Sequence, residues 1–304
     1  MIDNTQILVL GAGELGLSMI QALVSHPTKP NVSVLLRPVS EPNKARQELA
    51  ATLDSLHISV LDGELTAPVD SLARLFAPFH TIISCIGFSA GKGSQLRICH
   101  AVLQARVRRY VPWQFGVDYD AIGRGSSQDL FDEQLDVRHL LRSQDDTKWT
   151  IVSAGMFTSF LFEPSFGVVD MERSIVRALG SWENEVTVTS AEDIGRLTAS
   201  VLLDDKEVMG GVIKIAGDTT TFSGIADLLR GMGCDIKQET WTLEDLEEQL
   251  REKPTDKMLK YQVVWARNVG VSWPKDETYN ARKGIPVEDL KTWAEKNLKK
   301  PVRG

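Results

Sequence analysis

Cysteine is scarce in this chain, with only Cys85, Cys99 and Cys234 in 304 residues. An odd number without paired spacing excludes a disulfide framework and a dithiol motif, and points to a reducing compartment. Histidine is also sparse, five in all and scattered, so no metal site is expected. Positive charge is in deficit: 34 Lys and Arg stand against 41 Asp and Glu, for a net charge of -7. Nucleic acid and anionic membrane need clustered basic groups, so neither is an expected partner. The short basic run Lys299, Lys300 and Arg303 reads as a solvated tail. No apolar stretch reaches the length of a membrane span, because Glu163 interrupts the most hydrophobic candidate, Met156 to Val169. Met1 runs almost directly into a strand pattern without the parts of a signal peptide, and cytoplasmic residence is the expectation. No serine sits in a G-x-S-x-G elbow, and no internal repeat or low-complexity linker divides the chain.

What is present is alternation. Gln6 to Leu10, Asn31 to Leu36, His57 to Leu61, His80 to Ser84 and Arg109 to Pro112 are short continuous apolar runs, the pattern of strands buried on both faces. Between them Glu14 to Ser25, Lys44 to Asp54, Val69 to Phe76 and Ser94 to Ala105 have helical period. A helix over Gln128 to Arg142 and a strand over Trp149 to Ser153 extend the series. This predicts an α/β fold, a Rossmann-type doubly wound parallel sheet over residues 1–153. The rhythm changes after Ser153, so residues 154–304 are expected to form a smaller C-terminal α/β substrate lobe, some elements of which pack back onto the first domain. There Ser190 predicts an N-cap for a helix through Leu203, Gly211 to Ala216 a strand, Phe222 to Gly231 and Thr242 to Glu252 two helices, and Pro286 to Leu298 the last helix.

Gly11-Ala12-Gly13-Glu14-Leu15-Gly16 follows the first strand and opens the first helix. That context gives a G-x-G-x-x-G pattern its meaning. Gly11 permits a tight turn, Gly13 lets backbone approach a pyrophosphate, and Gly16 lets helix pack on strand, while free N–H groups and the helix dipole attract the anion. At the end of the second strand stands Arg37, about twenty residues beyond Gly16. An acidic residue there would accept from a ribose 2′-OH, whereas arginine pairs with a 2′-phosphate, so NADP(H) is the expected cofactor. Lys44 can add charge nearby.

The fingerprint, Val34-Leu35-Leu36-Arg37-Pro38, Ile82-Ile83-Ser84-Cys85-Ile86-Gly87 and above all Arg109-Tyr110-Val111-Pro112-Trp113-Gln114-Phe115-Gly116 resemble the NmrA-like and isoflavone-reductase-like family, relatives of the short-chain dehydrogenases. The likeness extends through Phe131 to Arg138 and Ala154 to Phe157 as far as Glu192 to Gly195, and is greatest to a fungal branch serving secondary metabolism. It implies that Ser84, Cys85, Ile86 and Gly87 flank the ribose and nicotinamide, that Gln114 and Phe115 border the nicotinamide half, and that Gly155, Met156 and Phe157 wall the pocket. Two departures stand out. The glycine loop is one residue shorter between its first pair than in the family's redox members. The resemblance also places Gln134 where the family's reductases carry a lysine, and glutamine cannot act as a general acid near neutral pH.

The remaining candidates follow the fifth strand, where ligands of open α/β sheets bind. Asp118, Tyr119, Asp120 and Arg124, with Asp132 and Glu133 beyond, make a polar loop, and Phe88, Trp113, Phe157 and Phe160 supply aromatic surface. Asp118, Arg124 and Gln134 are the residues expected to carry catalysis; Phe88, Trp113, Tyr119, Phe160 and Glu163 are expected to contact substrate. Glu163 is unusual as a carboxylate in a hydrophobic stretch, where burial would force it to pair or to shift its pKa. Tyr279 and Lys283 have the dehydrogenase Tyr-Lys spacing but lie far from the fifth strand, so the match is read as coincidence. Three functions are open at this point: an NADP(H)-dependent reductase of a small aromatic metabolite, a redox-neutral cyclase of the Pictet–Spengler type that keeps NADP(H) in a positioning role, and an NADP(H)-sensing regulator that binds a protein partner.

Overall fold

The structure, a computed structural model, describes residues 5–41, 43–205 and 210–298. The basic run Lys299, Lys300 and Arg303 lies outside the described residues. Strand and helix alternate from the start: β1 (Gln6–Leu10), α1 (Glu14–Ser25), β2 (Asn31–Leu36), α2 (Lys44–Ser55), β3 (Ser59–Asp62), α3 (Val69–Phe76), β4 (Thr81–Ser84), α4 (Ser94–Gln104) and β5 (Arg109–Val111). The short helix α5 (Tyr119–Ile122) precedes α6 (Leu130–Arg142) and β6 (Lys148–Ser153). Then come β7 (Met156–Phe157), α7 (Thr158–Leu161), β8 (Val169–Asp170), β9 (Ile175–Leu179), β10 (Glu185–Thr189), α8 (Ala191–Leu203), β11 (Gly211–Lys214) and β12 (Asp218–Thr221). The chain continues with α9 (Phe222–Gly231), β13 (Lys237–Trp241), α10 (Leu243–Glu252), α11 (Lys257–Ala266), α12 (Tyr279–Arg282) and α13 (Leu290–Asn297).

Seven strands form the main sheet in the order β11-β6-β5-β4-β1-β2-β3, and each neighbouring pair from β6 through β3 is parallel. The doubly wound expectation is met. The strand order reverses beside β1: the chain leaves toward β2 and β3, then returns to place β4 on the other flank. Such a reversal leaves the carboxyl ends of β1 and β4 uncovered by a crossover, which is where this architecture binds ligands. Pairing aligns Leu10 with Ser84 and with Leu35, so the residues after β1, β2 and β4 emerge on one edge. The strands are apolar because both faces are covered: Leu8, Leu10, Ile82, Tyr110 and Ile151 pack with Leu72, Phe76, Ile98 and Val137 from the helices.

Contacts divide the chain into two compact units that interleave in sequence. One comprises Met1–Gln114, Glu133–Val152 and Ile194–Ile213; the other comprises Phe115–Asp132, Ser153–Asp193 and Lys214–Gly304. Relative to a single cut after residue 153, the segment 115–132 belongs with the second unit and 194–213 returns to the first. The second unit holds two three-stranded sheets, β12-β10-β7 and β13-β9-β8. The helix signals read locally from the sequence after residue 153 appear in place: Thr242 caps α10 by accepting from Asp245 N, and Ser190 accepts from Asp193 N at the start of α8. The last helix is shorter than expected and opens at Leu290 under the Asp289 cap. Among the described residues no helix is long and apolar enough to cross a membrane.

Candidate functional site

The loop after β1 gives each of its glycines a separate job. Gly11 lies at φ +87°, a left-handed conformation that side chains resist, and a Cβ there would sit 2.5 Å from Ile86 Cδ1. A Cβ on Gly16 would fall 2.2 Å from the Gly11 carbonyl oxygen, so only glycine lets α1 approach the turn this closely. At Gly13 the situation is opposite. Its backbone is extended (φ -75°, ψ -163°), it is exposed, and a Cβ would meet nothing within 4 Å. Gly13 is also the N-cap of α1, and no side chain occupies its capping position. The first N–H groups of α1, on Glu14, Leu15 and Gly16, therefore have no intrahelical acceptor and no side-chain cap from Gly13, and they lie at the positive end of a twelve-residue helix. A pyrophosphate is the kind of group that such a cradle fits.

Arg37 is exposed immediately after β2, and its guanidinium has no partner among the described residues. Its backbone is held instead, because Arg46 Nη2 donates to the Arg37 carbonyl at 3.0 Å. Asn43 caps α2 by accepting from Arg46 N, which fixes the turn that carries both arginines. Lys44 lies 3.7 Å from Glu48 on the exposed face of α2. An exposed guanidinium so placed is able to pair with a phosphate in forked geometry.

On the other flank of β1, Ser84 is fully buried and its Oγ has no hydrogen-bond partner among the described residues. Burial pushes the Cys85 thiol up and the Cys99 thiol up to about 12, which leaves neither as a thiolate nucleophile. Phe88 and Trp113 meet edge to face with centroids 4.7 Å apart, and a Cβ on Gly87 would touch the Trp113 ring at 3.1 Å. Gln114 is buried, and both ends of its amide are used: Nε2 donates to the Gln134 carbonyl at 2.9 Å and Oε1 accepts from Arg138 Nε at 2.7 Å. Gln134 itself is 0% exposed, and neither Nε2 nor Oε1 of its side chain has a hydrogen-bond partner among the described residues. Leaving such a buried group unpaired costs roughly 1–3 kcal/mol, so a partner supplied from outside the chain is favoured there.

The second unit carries the other sequence candidates. Asp118 caps α5 by accepting from Ala121 N, and its Oδ2 lies 2.9 Å from Lys214 Nζ. Lys214 Nζ also sits 5.4 Å from the centroid of Trp273. Arg124 and Asp120 are exposed, while Asp132 Oδ1 accepts from Gly125 N at 3.0 Å. Tyr119 is buried against Phe131, and Phe131 against Tyr261. Phe160 packs on Phe166 at 4.7 Å, and half-buried Phe157 caps the start of α7. Phe115 and Met156 are buried, and Gly155, at φ +74°, passes so close to the Thr187 carbonyl that a Cβ would lie 2.2 Å from it. Glu163 corrects the expectation of a buried carboxylate: α7 ends at Leu161, the chain turns, and Glu163 is exposed with Ser165 Oγ donating to it at 3.2 Å. Tyr279 and Lys283 lie one turn apart, with Nζ 5.9 Å from the ring centroid, at the short helix α12.

Sequence reasoning missed Gln95, Arg46, Arg138 and Lys214 as organising residues. Gln95 lies beside Ile98, Cys99 and Val102 on an apolar face of α4, and that is the signal that marks a buried polar group in need of a partner.

The model of the NmrA-like family matches residues 3–286. The chain belongs to the NmrA-like family. It is 44% identical over 303 residues to an NmrA-like family domain-containing oxidoreductase of Gibberella moniliformis, covering 96% of this chain and 97% of that protein. It is 23% identical over 264 residues to the isoflavone reductase homolog P3 of Arabidopsis thaliana, covering 83% of each. Among solved structures, AtPrR2 with NADP+ and (+)pinoresinol superposes with a TM-score of 0.77 at 15% identity, over 96% of this chain and 98% of that one. That last likeness concerns the fold.

Proposed function

We propose that this NmrA-like protein is an NADP(H)-dependent oxidoreductase of a small aromatic secondary metabolite. The observation that carries the reading is the cradle after β1, where Gly13 and the uncapped N-terminus of α1 leave open, positively polarised space beside a strand-order reversal. Glu14, Leu15 and Gly16 donate backbone N–H groups to the pyrophosphate, and Arg37 pairs with the 2′-phosphate. Residues 84–87 and Gln114 border the nicotinamide half, Gln114 by holding α6 in place rather than by offering its own amide. When bound, the nicotinamide supplies or accepts hydride. The same architecture in AtPrR2 with NADP+ and (+)pinoresinol, and the oxidoreductase description of the fungal relative, support this reading.

For the substrate, Phe88 and Trp113 offer aromatic surface next to Gly87, and Tyr119, Phe157 and Phe160 are further proposed contacts. Gln134 donates from Nε2 to a substrate oxygen and orients it. It has no proton to give, so the proton of a reduced carbonyl comes from water, with Asp118, whose carboxylate pairs with Lys214, and Arg124 holding charge beside the substrate. The same absence of a lysine favours a second reading, a redox-neutral ring closure in which the dinucleotide positions the reactants.

The deciding experiment compares wild type with Gln134→Lys on a panel of aromatic ketones, enones and amine-plus-aldehyde pairs. Substrate-dependent NADPH oxidation by wild type is expected, and the lysine variant should accelerate it by about a hundredfold, a typical contribution of general acid catalysis. Product formed by wild type with no NADPH consumed, and no oxidation by Gln134→Lys, overturns the reductase reading in favour of the redox-neutral one.

A further inference from the structure

Helix α4 begins without a local cap. Its N-cap is Gly93, which has no side chain and lies at φ +84°. The cap comes from forty residues away. Glu133, on α6 and only 7% exposed, accepts from Gly93 N at 2.8 Å through Oε2, and from Gln95 N at 2.8 Å and Leu96 N at 3.1 Å through Oε1. Three N–H donors at a positive helix end offset the burial of one carboxylate. The anchored turn passes the constraint on: Gln95, 3% exposed, donates from Nε2 to the Ile86 carbonyl at 2.8 Å. Ile86 is the residue whose side chain packs on Gly11, since a Cβ there would lie 2.5 Å from Ile86 Cδ1. Gly87 and Phe88, next along, rest on Trp113.

A continuous set of contacts therefore runs from α6 through the start of α4 to residues 86–88 and on to the glycine turn after β1. A side-chain oxygen used only to cap α4 could equally come from a local Ser or Asp. Delivered from α6, it ties the two flanks of the strand-order reversal to the helix that carries Gln134, the next residue. We propose that Glu133 and Gln95 are positioning residues for NADP(H), holding residues 86–88 in register with the Gly11 turn. This rests on the cofactor reading above.

The test is a cofactor titration with three variants, each also melted. Glu133→Gln keeps the volume but turns an N–H2 toward a backbone donor. Gln95→Leu removes only the bond to Ile86 and leaves the cap of α4 intact. Thr242→Ala, which deletes the cap of α10, serves as a control that loses stability elsewhere. The first two should each raise the NADPH dissociation constant about tenfold, and the double variant should be far from multiplicative, because both act through one chain of contacts. Thr242→Ala should lower the melting temperature and leave the constant within twofold. If Gln95→Leu and Glu133→Gln melt early but bind NADPH like wild type, Glu133 is a structural cap and the proposal is overturned. Gln95→Leu decides alone if Glu133→Gln does not fold. A wild type that fails to bind NADPH overturns the cofactor reading itself, an outcome distinct from bound wild type with unmoved variants.

Discussion

The three glycines after β1 should separate binding from stability when they are replaced one at a time. Gly13→Val places a branched side chain where a Cβ meets nothing within 4 Å and where the backbone is already extended. The folded protein loses only the preference for glycine over valine at an N-cap, on the order of 1 kcal/mol or a fall of about 2–4 °C in melting temperature. The new methyls occupy the approach of a pyrophosphate, so NADPH affinity should fall at least about a hundredfold, or roughly 2.7 kcal/mol. Gly16→Ala should reverse the pattern. Its Cβ would lie 2.2 Å from the Gly11 carbonyl oxygen, a backbone atom that cannot swing aside, so α1 must move off β1. Overpacking of this kind costs about 1–3 kcal/mol or more, and the melting temperature should fall two to three times as far as for Gly13→Val. Gly11→Ala should fall between: its φ of +87° costs about 1–2 kcal/mol, but the atom in its way is the tip of the Ile86 side chain, which can turn. Differential scanning fluorimetry and NADPH fluorescence titration on the same samples give both axes. A folded Gly13→Val that binds NADPH as tightly as wild type refutes the assignment of the cradle.

Arg37→Ala should weaken NADPH binding by about ten- to a hundredfold, the worth of a charge-assisted pair of roughly 1.5–3 kcal/mol, while NADH binding stays unchanged; equal losses for both cofactors would sink the 2′-phosphate pairing. Glu288 offers a pH test: burial raises its carboxyl pKa, Lys296 lowers it, and Asp193 and Glu192 raise it again. The folded state thus holds this proton more tightly than the unfolded one, so the penalty is absent below the unfolded pKa and fully present once pH exceeds the raised value. Glu288→Gln should therefore raise the melting temperature at pH 7 and leave it nearly unchanged at pH 4, and a gain of equal size at both would contradict the shift.

The sequence alone determined the parts of this protein whose physics is local. The run of apolar residues in β1, the glycine spacing that follows it, the helical period of α1 and the arginine after β2 all lie within 32 residues, and each constrains the backbone of its own segment. The caps Ser190 and Thr242 were legible for the same reason, because a cap acts on N–H groups only a few residues away. The strands of the second unit were not. β13 reads Lys237-Gln238-Glu239-Thr240-Trp241, mostly exposed and polar, and becomes a strand only through its parallel pairing with β9, 62 residues earlier.

Tertiary structure alone decided which polar residues were already taken. Glu133 reads in sequence as one more acid in a polar loop, but folding places it under three N–H groups of α4. Asp118 reads as a candidate acid, and Lys214, 96 residues later, supplies its ion pair. Gln114 reads as a ligand, yet its amide holds Gln134 and Arg138 in place. Gln134 is left with a buried amide and no partner among the described residues, because its surroundings come from distant strands and helices and no spacing along the chain encodes which hydrogen bonds they leave unmade.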